Sequence, residues 1–192
     1  VTPNVDRESV AALHSRVLAE LATPGDWWDA PGRRAAIEEA RTARSCELCD
    51  ARRATLSPEA IADSHRAHRL LSAAAVEVIH RVVNDPGRLT RRWAEVQVAE
   101  LGDAVYAELV AITAIVVAID VYARSIGAPP PDLIEPVGGV PARERPDDVG
   151  DVGAWIPMTE QKVLANVSRA LSLVPRTNAT WRALVNESYS RG

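Results

Sequence analysis

A chain of 192 residues with 47% hydrophobic and 25% charged residues has the length for one domain with a substantial core, and this usage excludes collagen-like, wholly disordered and disulfide-scaffold proteins. A formal net charge of −4, with Lys162 the single lysine among 22 basic residues, supplies no cationic surface for a nucleic acid backbone, so nucleic acid is not an expected partner. Phe is absent and aromatics make up only 4%, leaving Ala, Leu, Val and Ile to fill the core; such small faces suit closely packed helices, and the expected fold class is all-α.

Between Arg7 and Ala22 the apolar residues Val10, Leu13, Val17, Leu18 and Leu21 recur at three- and four-residue spacings, an amphipathic helix that Pro24-Gly25 ends. The indole pair Trp27-Trp28 in the connection reads as a plug at the edge of the core. A second helix is predicted from Arg33 to Arg44, with Ala36, Ile37, Ala40 and Ala43 on one side and Arg34, Glu38 and Arg41 on the other. After the short segment Cys46 to Thr55, Ser57-Pro58-Glu59 supplies a cap residue, a first-turn proline and a first-turn acid, which predicts a helix running to about Leu71.

Two more helices are expected over Ala73 to Val83, closed by Asn84-Asp85-Pro86-Gly87, and over Thr90 to Leu101, stopped at Gly102-Asp103. The stretch from Ala104 to Ile126 is apolar on nearly every face across its middle turns, as in a helix enclosed by neighbours or by another subunit. Its longest uncharged run, Leu109 to Ile119, is bounded by Glu108 and Asp120 and is too short to span a bilayer. With no basic-then-apolar pattern at the start, the expectation is a soluble cytoplasmic protein with no membrane partner. Glu108 and Asp120, with Tyr106 and Tyr122 alongside, read as buried groups whose carboxylates pair with arginine at an interface.

Much of the Pro and Gly falls between residues 128 and 157, which read as a linker or a strapped-down excursion without strands. Helices over Thr159 to Leu173 and Asn178 to Tyr189 are predicted next, separated by Val174-Pro175-Arg176. The chain thus divides into a helical core over 1–129, a Pro/Gly-rich linker over 130–157, and a helical tail over 158–192 that packs on the core or on a neighbouring subunit.

The sharpest chemical signal is Cys46-Glu47-Leu48-Cys49. Two cysteines three apart cannot staple distant parts of a fold; they read as a redox pair or half of a metal site. Placement near a helix amino terminus favours the thiolate, the species that attacks peroxides and disulfides. Once one sulfur is oxidised to a sulfenic acid, the other can condense with it to a disulfide. Arg44, Arg52 and Arg53 favour a thiolate here, whereas Glu47 and Asp50 oppose it.

Helix, then Ser45-Cys46-Glu47-Leu48-Cys49, then Leu56-Ser57-Pro58-Glu59, resembles the core of the alkylhydroperoxidase D and carboxymuconolactone decarboxylase superfamily. Asp85-Pro86-Gly87-Arg88-Leu89-Thr90 and the later Ile119-Asp120-Val121-Tyr122-Ala123-Arg124-Ser125-Ile126-Gly127-Ala128-Pro129 are similar to the second half of that core, so the resemblance covers about Arg7 to Pro129. It implies an oligomeric, alkylhydroperoxidase D-like helical bundle acting as an antioxidant dithiol peroxidase, or as a thiol–disulfide oxidoreductase, without a cofactor. Cys49 would attack a small hydroperoxide or disulfide, Cys46 would resolve the product, and an external thiol would reduce the pair.

Two positions depart from the family pattern. Its relay Glu, twelve residues before the first cysteine, corresponds to Arg34, and its relay His, four after the second, corresponds to Arg53. Arg53 can hold a thiolate by charge but cannot move its proton. A lost relay slows such chemistry by ~10²–10⁴-fold. His65 or His68, folding back toward Cys49, is the sequence's candidate replacement. The same two histidines offer an alternative: Cys46, Cys49, His65 and His68 spell C-x₂-C-x₁₅-H-x₂-H, a four-ligand set for zinc in a non-catalytic assembly module. His14 and His80 have no partner in sequence and read as structural.

Overall fold

A computed structural model of the chain describes the backbone over residues 7–189 and side-chain surroundings over residues 9–186. Eight α-helices make up the described structure: α1 (Arg7–Leu21), α2 (Ala30–Ala43), α3 (Glu47–Arg53), α4 (Ala73–Asn84), α5 (Arg91–Leu101), α6 (Asp103–Ser125), α7 (Asn166–Ala170) and α8 (Pro175–Tyr189). The protein is mainly helical, as the Ala- and Leu-rich composition led us to expect.

Local chemistry accounts for the helix starts. Asp29 accepts the Gly32 N–H at 2.8 Å ahead of α2, Ser72 accepts the Ala75 N–H at 3.2 Å ahead of α4, and Thr90 accepts the Trp93 N–H at 3.2 Å ahead of α5. Between α5 and α6 a single residue, Gly102, turns the chain at φ +85°, a conformation that a side chain disfavours.

Helix α6 is the axis of the fold. Leu109, Ile112, Ile115 and Ile119 have no solvent exposure, and α2, α4, α5 and α8 pack around them. Each such burial is worth about 1.5–3 kcal/mol of transfer free energy, and this is why the helix lacks a polar face. By length and composition alone α6 is long and apolar enough to cross a bilayer, contrary to the shorter run bounded by Glu108 and Asp120; most of it lies inside the bundle. The enclosing neighbours belong to the same chain.

Glu108 and Asp120 both pair with arginine inside the chain, which corrects the interface reading. Asp120 accepts two hydrogen bonds from Arg41 at 3.0 Å each. Glu108 accepts the backbone N–H groups of Asp26, Trp27 and Trp28 and lies 3.6 Å from Arg33 Nε. The approach is so close that a Cβ on Gly25 would stand 1.9 Å from Glu108 Oε1. Thr177, at the start of α8, bonds both Asp26 and Glu108, so this buried polar cluster ties the tail helix to the core. Trp28 packs against the main core and donates its indole N–H to the Val105 carbonyl, in keeping with the plug expected of it.

Three predicted elements differ. The helix expected from Ser57 to Leu71 is only a 3₁₀ turn, Pro58–Ala60, followed by irregular chain. The Asp63 side chain accepts the Ser64 backbone N–H, Arg52 holds the Asp63 carbonyl, and Leu56 and Leu70 remain exposed, so no apolar stripe anchors a helix there. The excursion contributes a strand, β1 (Val149–Gly150), pairing antiparallel with β2 (Met158–Thr159), where no strand was expected and where the helix from Thr159 was. Only Asn166–Ala170 of that predicted helix forms. Pro175 opens α8 instead of separating two helices, since a first-turn proline sacrifices no hydrogen bond.

The segment before β1 is strapped down rather than free. Val137, Ala142 and Arg143 donate backbone N–H groups to the carbonyls of Ala22, Gly25 and Asp26. Helix α8 packs on α1 and α6 of its own chain.

Candidate functional site

Helices α2, α3 and α4 and the irregular chain after Pro58–Ala60 converge on the two thiols. Cys46 is the N-cap residue of α3 and Cys49 lies in its first turn, so one helical turn brings both sulfurs to the same side. Cys49 is 3% exposed, packed under α4. Cys46 is half-buried and lines a cavity of about 450 Å³. No disulfide joins them.

Each thiol faces an imidazole, and each imidazole faces a carboxylate. Cys49 Sγ stands 3.3 Å from His80 Nδ1, and His80 Nε2 stands 2.7 Å from Glu39 Oε1 on α2. Cys46 Sγ stands 3.6 Å from His65 Nδ1, and His65 Nε2 stands 3.2 Å from Glu77 Oε2 on α4. A carboxylate only accepts, so the contacts with Glu39 and Glu77 favour a ring proton on Nε2 and an Nδ1 lone pair directed at sulfur, while Arg52 Nη1, a donor, also stands 3.4 Å from His65 Nε2. The two rings stack with centroids 3.8 Å apart. Sγ of both cysteines and one ring nitrogen of each histidine all lie within 4.8 Å of one another.

Arg52 completes the shell. It is buried, donates Nη1–H to Glu77 at 2.9 Å and bonds the Asp63 carbonyl, which pins the loop bearing His65 against α3 and α4. Burial alone would raise the Glu77 carboxyl, yet the hydrogen bonds from His65 and Arg52 prevail and hold it at about 2. Burial lowers His80, against the opposing hydrogen bond from Glu39, so its imidazole is neutral near pH 7. Burial, followed by the neighbouring Cys46, pushes the Cys49 thiol up to about 12.

The sequence expectations fare unevenly. Cys46, Cys49 and His65 come together. His68 does not join them: with no helix over 57–71, the shared face with His65 is lost, and His68 Nδ1 instead accepts the Leu70 N–H at 3.1 Å. The four side chains that come close enough to hold a metal ion, among the described residues, are Cys46, Cys49, His65 and His80. Arg53 is half-exposed and ion-paired with Asp50 beside it, and Arg34 pairs with Glu38 and Glu135. His80, expected to be structural, is the partner of Cys49, and Glu39, which no motif in the sequence marks, is the partner of His80. A signal for His80 existed: it shares the buried face of α4 with Val76 and Ile79, where an imidazole needs a polar partner. His14 has a structural contact, edge-on to Tyr122 at 5.1 Å.

Comparison with protein-family models, with curated proteins and with solved structures finds no match to this chain.

Proposed function

We propose that this protein is a dithiol oxidoreductase that reduces a small hydroperoxide, on an alkylhydroperoxidase D-like fold that assembles as a homo-oligomer in the cytoplasm. The observation that carries the reading is the Cys49–His80–Glu39 chain, with contacts of 3.3 and 2.7 Å. It supplies at other positions the proton handling that Arg34 and Arg53 lack.

Exposure favours the reverse of the order implied by the family resemblance. Cys46 lines the cavity and meets the substrate, while Cys49 is enclosed. Cys46 passes its proton to His65 Nδ1 and attacks the terminal peroxide oxygen. The O–O bond breaks, the thiol becomes a sulfenic acid, and the alkoxide takes up the proton to leave as an alcohol. Cys49, deprotonated by His80, then attacks the Cys46 sulfur; the disulfide forms and water departs with the proton. An external thiol returns two electrons and two protons.

Thiol titration with and without hydrogen peroxide tests this. Loss of two thiols, restored by dithiothreitol, is expected, with Cys49→Ser trapping a Cys46 sulfenic acid reactive toward dimedone and Cys46→Ser largely inert. If peroxide leaves both thiols of the metal-free protein untouched, the reading fails.

A further inference from the structure

The arrangement around the two sulfurs has a feature beyond a base for each thiol: all four donors share one small volume. Two imidazoles present Nδ1 toward the same small volume as two cysteine sulfurs, and each anchors its far nitrogen on a separate carboxylate, Glu39 or Glu77. One base for each thiol accounts for the separate Cys–His contacts but not for their convergence, and four soft or borderline donors within 4.8 Å of one another form a coordination shell. Carboxylates behind metal-bound histidines fix the tautomer and raise ligand basicity. We infer that Cys46 Sγ, Cys49 Sγ, His65 Nδ1 and His80 Nδ1 form a tetrahedral zinc site, whose occupation withholds both sulfurs from oxidation.

Geometry and charge both suit this ion. With Zn–S near ~2.3 Å and Zn–N near ~2.0 Å, donors at tetrahedral angles stand roughly 3.3–3.8 Å apart. The Cys49–His80 and Cys46–His65 separations are 3.3 and 3.6 Å, and no pair of donors exceeds 4.8 Å. Thiolate and imidazole donors select zinc over magnesium or calcium, which take oxygen ligands. Zinc with two thiolates and two neutral imidazoles carries no net charge, so the buried Cys49 gives up its proton without leaving an unpaired anion. The cavity lined by Cys46, His65 and His80 gives the ion a route in. His80, far from the cysteines in sequence, supplies the ligand that His68 cannot reach.

Binding follows 2 Cys–SH + 2 His + Zn²⁺ → Zn(Cys–S)₂(His)₂ + 2 H⁺. The protective consequence rests on the redox reading, but the site does not. A peroxide that overwhelms the complex would discharge it as Zn(Cys–S)₂(His)₂ + R–OOH + 2 H⁺ → Zn²⁺ + Cys–S–S–Cys + 2 His + R–OH + H₂O, with the two thiolates oxidised and the peroxide reduced.

The reduced full-length protein, stripped with chelator, is titrated with Zn²⁺ against a chromophoric competitor and separately with Co²⁺. One ion per chain, two protons released on zinc binding, and Co²⁺ absorption bands of a tetrahedral thiolate site are expected. Cys49→Ser and His80→Ala should each bind Zn²⁺ more than about 100-fold more weakly, Glu39→Gln about 10–100-fold more weakly, and His68→Ala like the wild type. Absence of the Co²⁺ signature in the wild type, or a loss in His68→Ala equal to that in His80→Ala, overturns the site; the wild-type spectrum decides the matter even if a variant does not fold. One equivalent of Zn²⁺ should slow peroxide-driven thiol loss at least tenfold. An unchanged rate with zinc bound overturns the protective role alone, whereas absence of reversible thiol loss in the metal-free protein overturns the redox reading and leaves the zinc site standing.

Discussion

Glu39 Oε1 lies 2.7 Å from His80 Nε2, although the two residues are 41 positions apart and on different helices. The contact is possible because α2 and α4 pack closely through small residues, Ala36, Ala40 and Ala43 on one and Ala75 and Val76 on the other. Asn84 reinforces it by donating to the Ala43 carbonyl at 2.8 Å. Glu39 thereby orients a buried imidazole toward Cys49.

Removing that imidazole should slow the resolving step. His80→Ala is expected to reduce the rate of disulfide formation after peroxide addition by about 10²–10⁴-fold, and Glu39→Gln, which still accepts the Nε2 proton, by less. Sulfenic acid formation on Cys46 should change little in both. Stopped-flow tryptophan fluorescence with parallel dimedone trapping separates the steps; equal slowing of both would show that His80 supports the fold around the site and does not act on Cys49.

The two thiols should differ in reactivity. In the reduced, metal-free protein at pH 7, iodoacetamide is expected to label Cys46 well before Cys49, because Cys46 lines a cavity while Cys49 is enclosed and burial raises its thiol. In Cys46→Ala, labelling of Cys49 should be slow at pH 7 and rise with pH through the alkaline range, since the thiolate fraction grows towards its raised pKa. Peptide mapping by mass spectrometry reads both sites; preferential early labelling of Cys49 would contradict the assignment.

Glu108 should be structurally indispensable. Glu108→Ala leaves the buried Arg33 without its charge partner and the Asp26, Trp27 and Trp28 N–H groups without their acceptor, and a cost of about 3–5 kcal/mol is expected. Gly25→Ala should also destabilise, because its Cβ would collide with the same carboxylate. Urea unfolding measures both, and a loss below about 1 kcal/mol in either would mean that the segment around Gly25 relaxes away from α6 at little cost.

A surface pair gives a pH signature. Arg145 donates two hydrogen bonds to Asp103 at 2.9 and 2.8 Å, and these hold the Asp103 carboxyl below its ordinary value of 3.8. A carboxyl with a depressed folded pKa stabilises above its unfolded pKa and loses that contribution as pH falls through the folded value. The pair, partly exposed, is worth about 0.2–1 kcal/mol. Arg145→Ala should therefore lower stability at pH 7 by that amount and converge with the wild type towards pH 2. A difference that persists undiminished at low pH would assign the effect to packing.

Local chemistry in the sequence determined most helix positions, because caps such as Ser72 and Thr90 and the apolar spacing of α1, α2, α4 and α6 act over a turn or two. It likewise marked Cys46 and Cys49, whose proximity follows from one turn of helix. The identity of their partners was decided only in three dimensions. His80 and Glu39 meet through the packing of α2 against α4, and His65 is held by Arg52 and Glu77 at the expense of the helix its neighbours were expected to form. Hydrogen bonds between residues distant in sequence carry no periodicity, so a pattern read along the chain selected His68, three residues from His65, where the fold selected His80.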